Sequence, residues 1–116
     1  MVAYAVARRE TPARVAARKR RQTETPEERT ARRKREARER AYARYGITLA
    51  EFETMNEAQN GLCAICDKQP NREFLDVDHC HETGKVRGLL CNKCNQALGL
   101  LGDDLSIVMR VYTYLS

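Results

Sequence analysis

The feature that most constrains this chain is a pair of Cys-x-x-Cys motifs, Cys63-Ala-Ile-Cys66 and Cys91-Asn-Lys-Cys94. Two ligands from each of two tight turns are the usual way to build a closed tetrahedral zinc site. The alternative, free or disulfide-bonded cysteines, fits poorly with an odd total of five cysteines and an N-terminus without the apolar segment of a secretory signal. The spacing therefore predicts a structural zinc bound by all four cysteines.

Between the two motifs lies Asp78-His79-Cys80-His81, and Asn95 directly follows the last cysteine. A zinc ion with four thiolate ligands needs none of these groups, so they suggest a second, chemically active centre. Carboxylate and amide oxygens suit a six-coordinate Mg²⁺ that also takes a phosphate oxygen. A neutral histidine beside such a cation can deprotonate a water near pH 7, and that water could attack a phosphodiester. The alternative is that the Asp-His pair at the end of a strand is only structural.

Length and composition limit the size of the hydrophobic core. The chain has 116 residues, 6% aromatic residues and no tryptophan, which is too little apolar material for a large core. A structural zinc can compensate, since it contributes on the order of 10 kcal/mol or more to the folding of zinc-finger peptides. No apolar run approaches the roughly 20 residues of a membrane span. We therefore expect a cytoplasmic protein with reduced thiols and no membrane partner.

The net charge of +5 is unevenly distributed. Residues 1–45 carry 15 Lys or Arg against 6 Asp or Glu, a net charge of +9, whereas residues 46–116 carry 6 against 10, a net charge of −4. A basic segment of this kind favours a polyanion such as DNA, because each neutralised phosphate releases counterions. The alternative is a solvated segment that only keeps the protein soluble. Residues 1–45 are called the basic arm below.

Helix signals recur along the basic arm. Thr11-Pro12 and Thr25-Pro26 each offer an N-cap followed by proline at the first helical position, and Glu28 completes a capping box with Thr25. These signals predict a helix over 13–21 and a longer one over 26–45. The longer helix is polar on every face, so it must be held by charge pairs or by a partner, or form only in part.

The rest of the chain predicts an α+β fold around the zinc motifs. The predicted elements are, in order, a helix over 48–60, a strand over 74–78, a turn over 82–85, a strand over 85–90, a helix over 92–101 and a final helix over 105–115. Asp78 would end the first strand and Asn95 would begin the helix that packs on the hairpin, so the two should be neighbours. The final helix, capped by Asp103 or Asp104, is expected to close the core with one apolar face.

The segment from Leu75 to Asn95 reads Leu-Asp-Val-Asp-His-Cys-His-Glu-Thr-Gly-Lys-Val-Arg-Gly-Leu-Leu-Cys-Asn-Lys-Cys-Asn. It resembles the signature of the phage recombination endonuclease VII family, within the HNH or ββα-metal nucleases, and the similarity covers roughly residues 45–102. The resemblance implies zinc on the four motif cysteines and Mg²⁺ or another divalent cation on Asp78 and Asn95. It also implies that His79 is the general base and His81 an auxiliary at the phosphate or metal. Cys80 matches no ligand position and is expected to be a buried or half-buried filler.

The resemblance implies a small zinc-stabilised ββα-metal core with flanking helices, in which residues 46–116 are an HNH endonuclease domain. The charge of the basic arm predicts that residues 1–45 contact DNA. The implied activity is metal-dependent hydrolysis of DNA by nicking, double-strand cleavage or branched-DNA cleavage, in phage recombination or packaging. Implied partners are DNA and either a second copy of the chain or phage packaging or recombination proteins, in the cytoplasm of a bacterial host. The alternative is a non-catalytic, zinc-stabilised module that binds nucleic acid; the combination of Asp78, His79 and Asn95 favours the nuclease.

Overall fold

A computed structural model describes residues 9–116, and the part of the basic arm at residues 1–8 lies outside that range. The described elements are α1 (Pro12–Thr23), α2 (Pro26–Ala43), α3 (Leu49–Ala58), β1 (Asp76–His79), β2 (Val86–Leu90), α4 (Asn92–Leu100) and α5 (Leu105–Leu115). Their order confirms the predicted α+β architecture. The chain divides into two compact units, Met1–Ala37 and Arg38–Ser116.

The first unit has little hydrophobic content and is organised by caps and charges. Thr25 and Glu28 form the predicted capping box: the Thr25 N–H donates to Glu28 Oε2 at 2.9 Å, and the Glu28 N–H donates to Thr25 Oγ1 at 3.2 Å. The Arg32 guanidinium donates to Glu24 at 2.7 and 3.1 Å and to Glu36 at 3.2 Å. The hydrogen bond from Arg32 lowers the pKa of the Glu24 carboxyl. Charge pairs thus hold this unit, and no residue of α1 is buried.

The core of the second unit is small and contains two of the zinc-motif cysteines. Its buried members are Tyr42, Phe52, Cys63, Leu75, Val77, Leu89, Leu90 and Cys91. The Tyr42 ring, from the last turn of α2, stacks on Phe52 with ring centroids 4.5 Å apart. The Arg38 guanidinium lies 3.5 Å from the centre of the Phe74 ring. The end of α2 is therefore part of this core, although its sequence belongs to the basic arm.

The expectation that α5 closes the core is wrong. Leu105 is 74% exposed, Tyr112 is 71% exposed, and no residue of α5 is buried. Asp104, rather than Asp103, caps this helix, since its carboxylate accepts from the Ser106 N–H at 2.8 Å. The core instead takes an aromatic ring from α2, because Tyr42 fills the place beside Phe52.

β1 and β2 form the predicted antiparallel hairpin, with an irregularity between Asp78 and His79. Asp78 pairs with Gly88 and His79 pairs with Val86, so Arg87 has no partner across the ladder. This is a β-bulge, which bends a strand and changes the direction in which a side chain points.

Gln59, just after α3, joins that helix to the hairpin and to the first zinc motif. Its side-chain N–H group donates to Leu62 O at 2.8 Å and to Leu89 O at 2.9 Å, while its side-chain oxygen accepts from the Leu89 N–H at 3.0 Å. The Ala64 N–H also donates to Leu89 O, at 3.1 Å. These bonds satisfy backbone groups beside Leu89, which is fully buried.

Candidate metal centre and active site

The four motif cysteines converge on one point in the second unit. All four Sγ atoms lie within 4.8 Å of one another, and those of Cys66 and Cys91 are 3.8 Å apart. A tetrahedral zinc with Zn–S bonds of about 2.3 Å requires sulfur atoms about 3.8 Å apart. Among residues 9–116, this is the one group of three or more Cys, His, Asp or Glu donors close enough to share an ion. The cluster could therefore hold zinc with all four ligand positions filled by protein.

The backbone around the cluster is shaped for thiolate ligands. Cys63 begins a tight turn in which its N–H donates to Lys68 O at 2.9 Å and its sulfur accepts from the Ile65 N–H at 3.5 Å. Cys91 caps α4, because its sulfur accepts from the Cys94 N–H at 3.4 Å. One residue therefore joins the end of β2, the cluster and the start of α4.

The electrostatics of the cluster also favour a bound cation. Burial raises the pKa of the Cys63 thiol, but backbone hydrogen bonds from Cys66, Cys91 and Ile65 outweigh burial and lower it to about 6. Burial and then the neighbouring sulfurs raise the pKa of Cys94 to about 12. One thiolate forms readily, whereas further thiolates repel each other, so a divalent cation is needed to hold all four ionised.

The second predicted centre lies at the end of β1. Asp78 is buried, with 7% of its surface exposed, and His79 and His81 are half-buried and exposed, respectively. The ring centroid of His79 lies 5.0 Å from that of Tyr45 and 5.1 Å from that of His81. Cys80 is half-buried, as expected, and a hydrogen bond with Thr83 lowers the pKa of its thiol.

Asn95 lies in the first turn of α4, which packs against β1. It lines a cavity of about 510 Å³ together with Tyr45, Asp76 and Val77. Three of the four predicted active-site residues therefore lie on one strand end and its following turn, and the fourth lies on the helix beside that strand. Asp78 and Asn95 would offer oxygen atoms to a hard cation such as Mg²⁺, which keeps several waters and needs few protein ligands.

The Asp78 carboxylate already holds a positive group. Arg87 donates from Nε to Oδ2 at 2.7 Å and from Nη2 to Oδ1 at 3.0 Å, and Nη2 also donates to Asp103 at 2.7 Å. The hydrogen bonds that Arg87 donates to the two carboxylates raise the pKa of Arg87, and the Arg87 hydrogen bond lowers the pKa of Asp103. The structure thus shows that this position is built to accept positive charge.

Arg87 and Tyr45 were not predicted as site residues, and Asp103 was predicted only as a possible helix cap. Arg87 lies within the family signature, but its contact with Asp78 depends on the bulge in β2. Asp103 is far from Asp78 in the sequence, and the Tyr45 ring follows a helix that was assigned to the basic arm. The opposite charges of Asp103 and Arg87 showed that the two side chains could form an ion pair. The sequence could not show that they do so, or that Asp78 shares the same guanidinium.

The second unit is a small α+β unit with a four-cysteine cluster and a hairpin that carries an Asp and a His. These features can be compared with those of known protein families. Residues 38–116 match the sequence pattern of the family described as recombination endonuclease VII. Since this match covers more than half of the chain, the chain belongs to the recombination endonuclease VII family. The prediction of the family from the sequence is confirmed.

Two phage proteins are similar to the chain over 78 residues: the Gene 59 protein of Mycobacterium phage D29, at 45% identity, and the Gene 59 protein of Mycobacterium phage L5, at 44% identity. Each alignment covers 66% of this chain and 47% or 48% of the phage protein. The chain thus spans about half the length of these relatives. Within residues 9–116, no helix combines the length and apolar character that crossing a membrane requires.

The cluster predicts a zinc dependence that distinguishes its cysteines from Cys80. Metal analysis should find about one tightly held zinc per chain, and Cys91→Ser should abolish it, because that change removes one of four ligands. Removing zinc should also unfold most of the second unit, measured by circular dichroism, since its core has only eight buried apolar residues. Cys80→Ser is the matched control and should keep both zinc and fold. A zinc-free protein with an unchanged spectrum would contradict the site.

Proposed function

We propose that this chain is a metal-dependent HNH endonuclease that hydrolyses DNA phosphodiester bonds in phage recombination. The observation that carries the proposal is the buried Asp78 carboxylate beside His79 at the end of β1, in a hairpin that runs directly into the four-cysteine cluster. Membership of the recombination endonuclease VII family supports the same activity. The similarity to phage proteins supports a role in a phage-infected host cell.

In this proposal, Asp78 and Asn95 hold the catalytic Mg²⁺ or another divalent cation. A bound cation of this kind supplies stabilisation of the charge on the phosphate and on the leaving 3′ oxygen. His79 takes a proton from the attacking water as the water oxygen bonds to phosphorus and the bond from phosphorus to the 3′ oxygen breaks. The neighbouring Tyr45 and His81 rings restrict the orientation of the His79 imidazole. His81 is proposed as the auxiliary residue at the phosphate.

A non-catalytic nucleic-acid-binding module is the alternative. It would explain the basic arm and the four-cysteine cluster. It gives no reason for a buried carboxylate and two imidazoles to lie at one strand end, with Asn95 on the helix that packs against that strand. The nuclease accounts for both centres.

The proposed roles of the active-site residues predict different effects of mutation. His79→Ala should lower the rate of plasmid nicking roughly 10²- to 10⁴-fold while DNA affinity changes little, because a general base acts on the chemical step. Asp78→Ala and Asn95→Ala should regain part of their lost rate as the Mg²⁺ concentration rises, since each loses a metal ligand. His81→Ala should be slower than the parent but less impaired than His79→Ala. The measurement is a metal titration of nicking at constant ionic strength.

Two results would oppose these roles. Rescue of His79→Ala by metal, without rescue of Asn95→Ala, would mean that base and ligand are interchanged. Normal cleavage by all four variants would place the catalytic centre elsewhere. Zinc content, which should stay at the parent value in every variant, shows that the second unit is still folded.

The basic arm is proposed as the surface that binds the DNA backbone. Arg20, Arg33 and Lys34 are exposed on α1 and α2. Changing all three to Gln should weaken binding to duplex DNA and reduce the slope of log affinity against log salt by about three, roughly one for each lost phosphate contact. Fluorescence anisotropy in a His79→Ala background measures binding without cleavage.

The control for the arm removes the same charge from the second unit, where Lys68, Lys93 and Arg110 are exposed. Changing these three to Gln should leave more of the salt slope intact than the arm variant does. An unchanged slope in the arm variant would show that the arm only aids solubility. The assignment of residues 1–45 to binding and residues 46–116 to catalysis depends on this comparison.

A homodimer is also proposed, with α5 as its contact. Ile107, Val108 and Val111 form the half-buried side of this helix. The helical positions of Leu105, Met109 and Tyr112 form a second apolar stripe, which is 58–74% exposed. Phage packaging or recombination proteins are further predicted partners of this chain.

The dimer has a direct test in sedimentation equilibrium. The zinc-loaded chain should sediment at twice its monomer mass, and Met109→Lys with Tyr112→Lys should halve that mass. Tyr114→Lys is the matched control, because Tyr114 is 87% exposed but lies on the opposite side of α5. A parent protein that sediments as a monomer would contradict the contact.

A further inference from the structure

Arg87 occupies both oxygen atoms of the carboxylate that the proposed function needs for a metal ion. The contact is bidentate, at 2.7 and 3.0 Å, and the Asp78 side chain is only 10% exposed. Paired, hydrogen-bonded charges of this kind are strong in a partly buried place. Asp78 therefore cannot offer its free carboxylate to a divalent cation while this contact persists.

The contact depends on the β-bulge in β2. A regular ladder would alternate side chains strictly between the two faces of the hairpin. Because Arg87 is the extra residue between the pairs of Asp78 with Gly88 and His79 with Val86, it is free of that alternation. The backbone is thus shaped to bring a guanidinium to Asp78, and bulges are common beside active sites for this reason.

Asp103 provides a second acceptor for the same guanidinium. It follows α4 in the left-handed region, with φ +54°, and its N–H donates to Leu98 O at 2.9 Å. Its side chain is 12% exposed, and one carboxylate oxygen lies 2.7 Å from Arg87 Nη2. Two carboxylates face one guanidinium here, so the three side chains together carry a net charge of about −1 and can accommodate another cation.

We propose that Arg87 is a positioning residue that competes with the divalent cation for Asp78, and that Asp103 holds the guanidinium at the site when Asp78 binds metal. This inference rests on the proposed metal site. When the cation binds Asp78, Arg87 would lose its two hydrogen bonds to Asp78 and keep its hydrogen bond to Asp103. The guanidinium would therefore remain next to the metal site. Asp103 thereby lowers the cost of releasing Asp78 and raises the apparent metal affinity.

The released guanidinium would have a further use. Arg87 Nη1 makes no hydrogen bond to any residue in the described range 9–116, and release from Asp78 frees Nε as well. Arginine binds phosphate oxygens through two parallel N–H donors. Arg87, held by Asp103, would then face the phosphate group that lies on the metal, which couples metal binding to substrate positioning.

The test is a double-mutant cycle read by calorimetric titration of the zinc-loaded, full-length chain with Mn²⁺, without DNA. Arg87→Gln should tighten Mn²⁺ binding about tenfold, because the competing cation is gone. Asp103→Asn should weaken binding about tenfold in the parent, because Arg87 loses its second acceptor. In the Arg87→Gln background, Asp103→Asn should have little effect. Asn also tolerates φ +54°, so the turn after α4 is preserved.

Matched variants separate this exchange from simple charge effects. Asp104→Asn removes a neighbouring carboxylate but keeps a good helix cap, so it gives the loss of affinity that long-range charge alone produces. Arg87→Lys keeps the positive charge but cannot bridge both Asp78 oxygens, and it should bind Mn²⁺ more tightly than the parent. This second variant tests the competition without any change at Asp103.

Three outcomes would overturn the inference. If Asp103→Asn weakened Mn²⁺ binding equally in the parent and in Arg87→Gln, Asp103 would act as a metal ligand or as a distant charge. If Arg87→Lys bound Mn²⁺ with the affinity of the parent, Arg87 would affect the metal only through charge repulsion. Mn²⁺ binding that is unaffected by Asp78→Ala would overturn the proposed metal site together with this inference, whereas Asp78-dependent binding with additive variants would overturn this inference alone.

Discussion

The repulsion among four closely spaced sulfur atoms is the constraint on which the second unit depends. The Sγ atoms lie within 4.8 Å of one another, and burial, followed by the neighbouring sulfurs, raises the pKa of Cys94 to about 12. A cation removes that repulsion, and the two most buried cysteines are at the same time members of the core. An ion bound by this cluster would therefore couple metal binding to hydrophobic packing in this fold. Cys91 extends this dependence to the proposed active site, because its sulfur caps the helix that carries Asn95.

The second centre handles charge in the opposite way. At the four-cysteine cluster, every ligand position can be filled by protein, so an ion held there is closed off from substrate. At Asp78, the protein supplies its own cation, Arg87, through two hydrogen bonds that the proposed exchange with a metal ion would open. A buried carboxylate with no partner would be costly, and the arginine removes that cost without closing the site permanently. The two centres thus suit a structural role and an exchangeable one, within a single hairpin.

Local signals in the sequence predicted most of the elements, while contacts between distant residues were missed. Caps at Thr25 and Thr48 and the motif cysteines carry their geometry in a few neighbouring residues, so helix starts and the cluster were predictable. The bulge at Arg87 was not, because an extra residue in a strand has no distinct composition. For α5 the predicted helix was correct, but the predicted burial of its apolar face was wrong. Amphipathic spacing shows that one face of a helix is apolar but does not show what covers that face.

The basic arm follows from a different balance of forces. Its described ion pairs use the carboxylates of Glu10, Glu24 and Glu36, and the six acidic residues of the arm leave a net charge of +9 against its 15 Lys and Arg. Surface ion pairs contribute little to stability, and no residue of α1 is buried, so α1 has no hydrophobic contact that would stabilise it alone. A polyanion lying along the arm would reduce the repulsion among the remaining arginines and stabilise the helices as it binds. Helix formation and phosphate contact are then linked through the same charges, so salt that weakens the contact also removes the stabilisation that a bound polyanion gives to the helices.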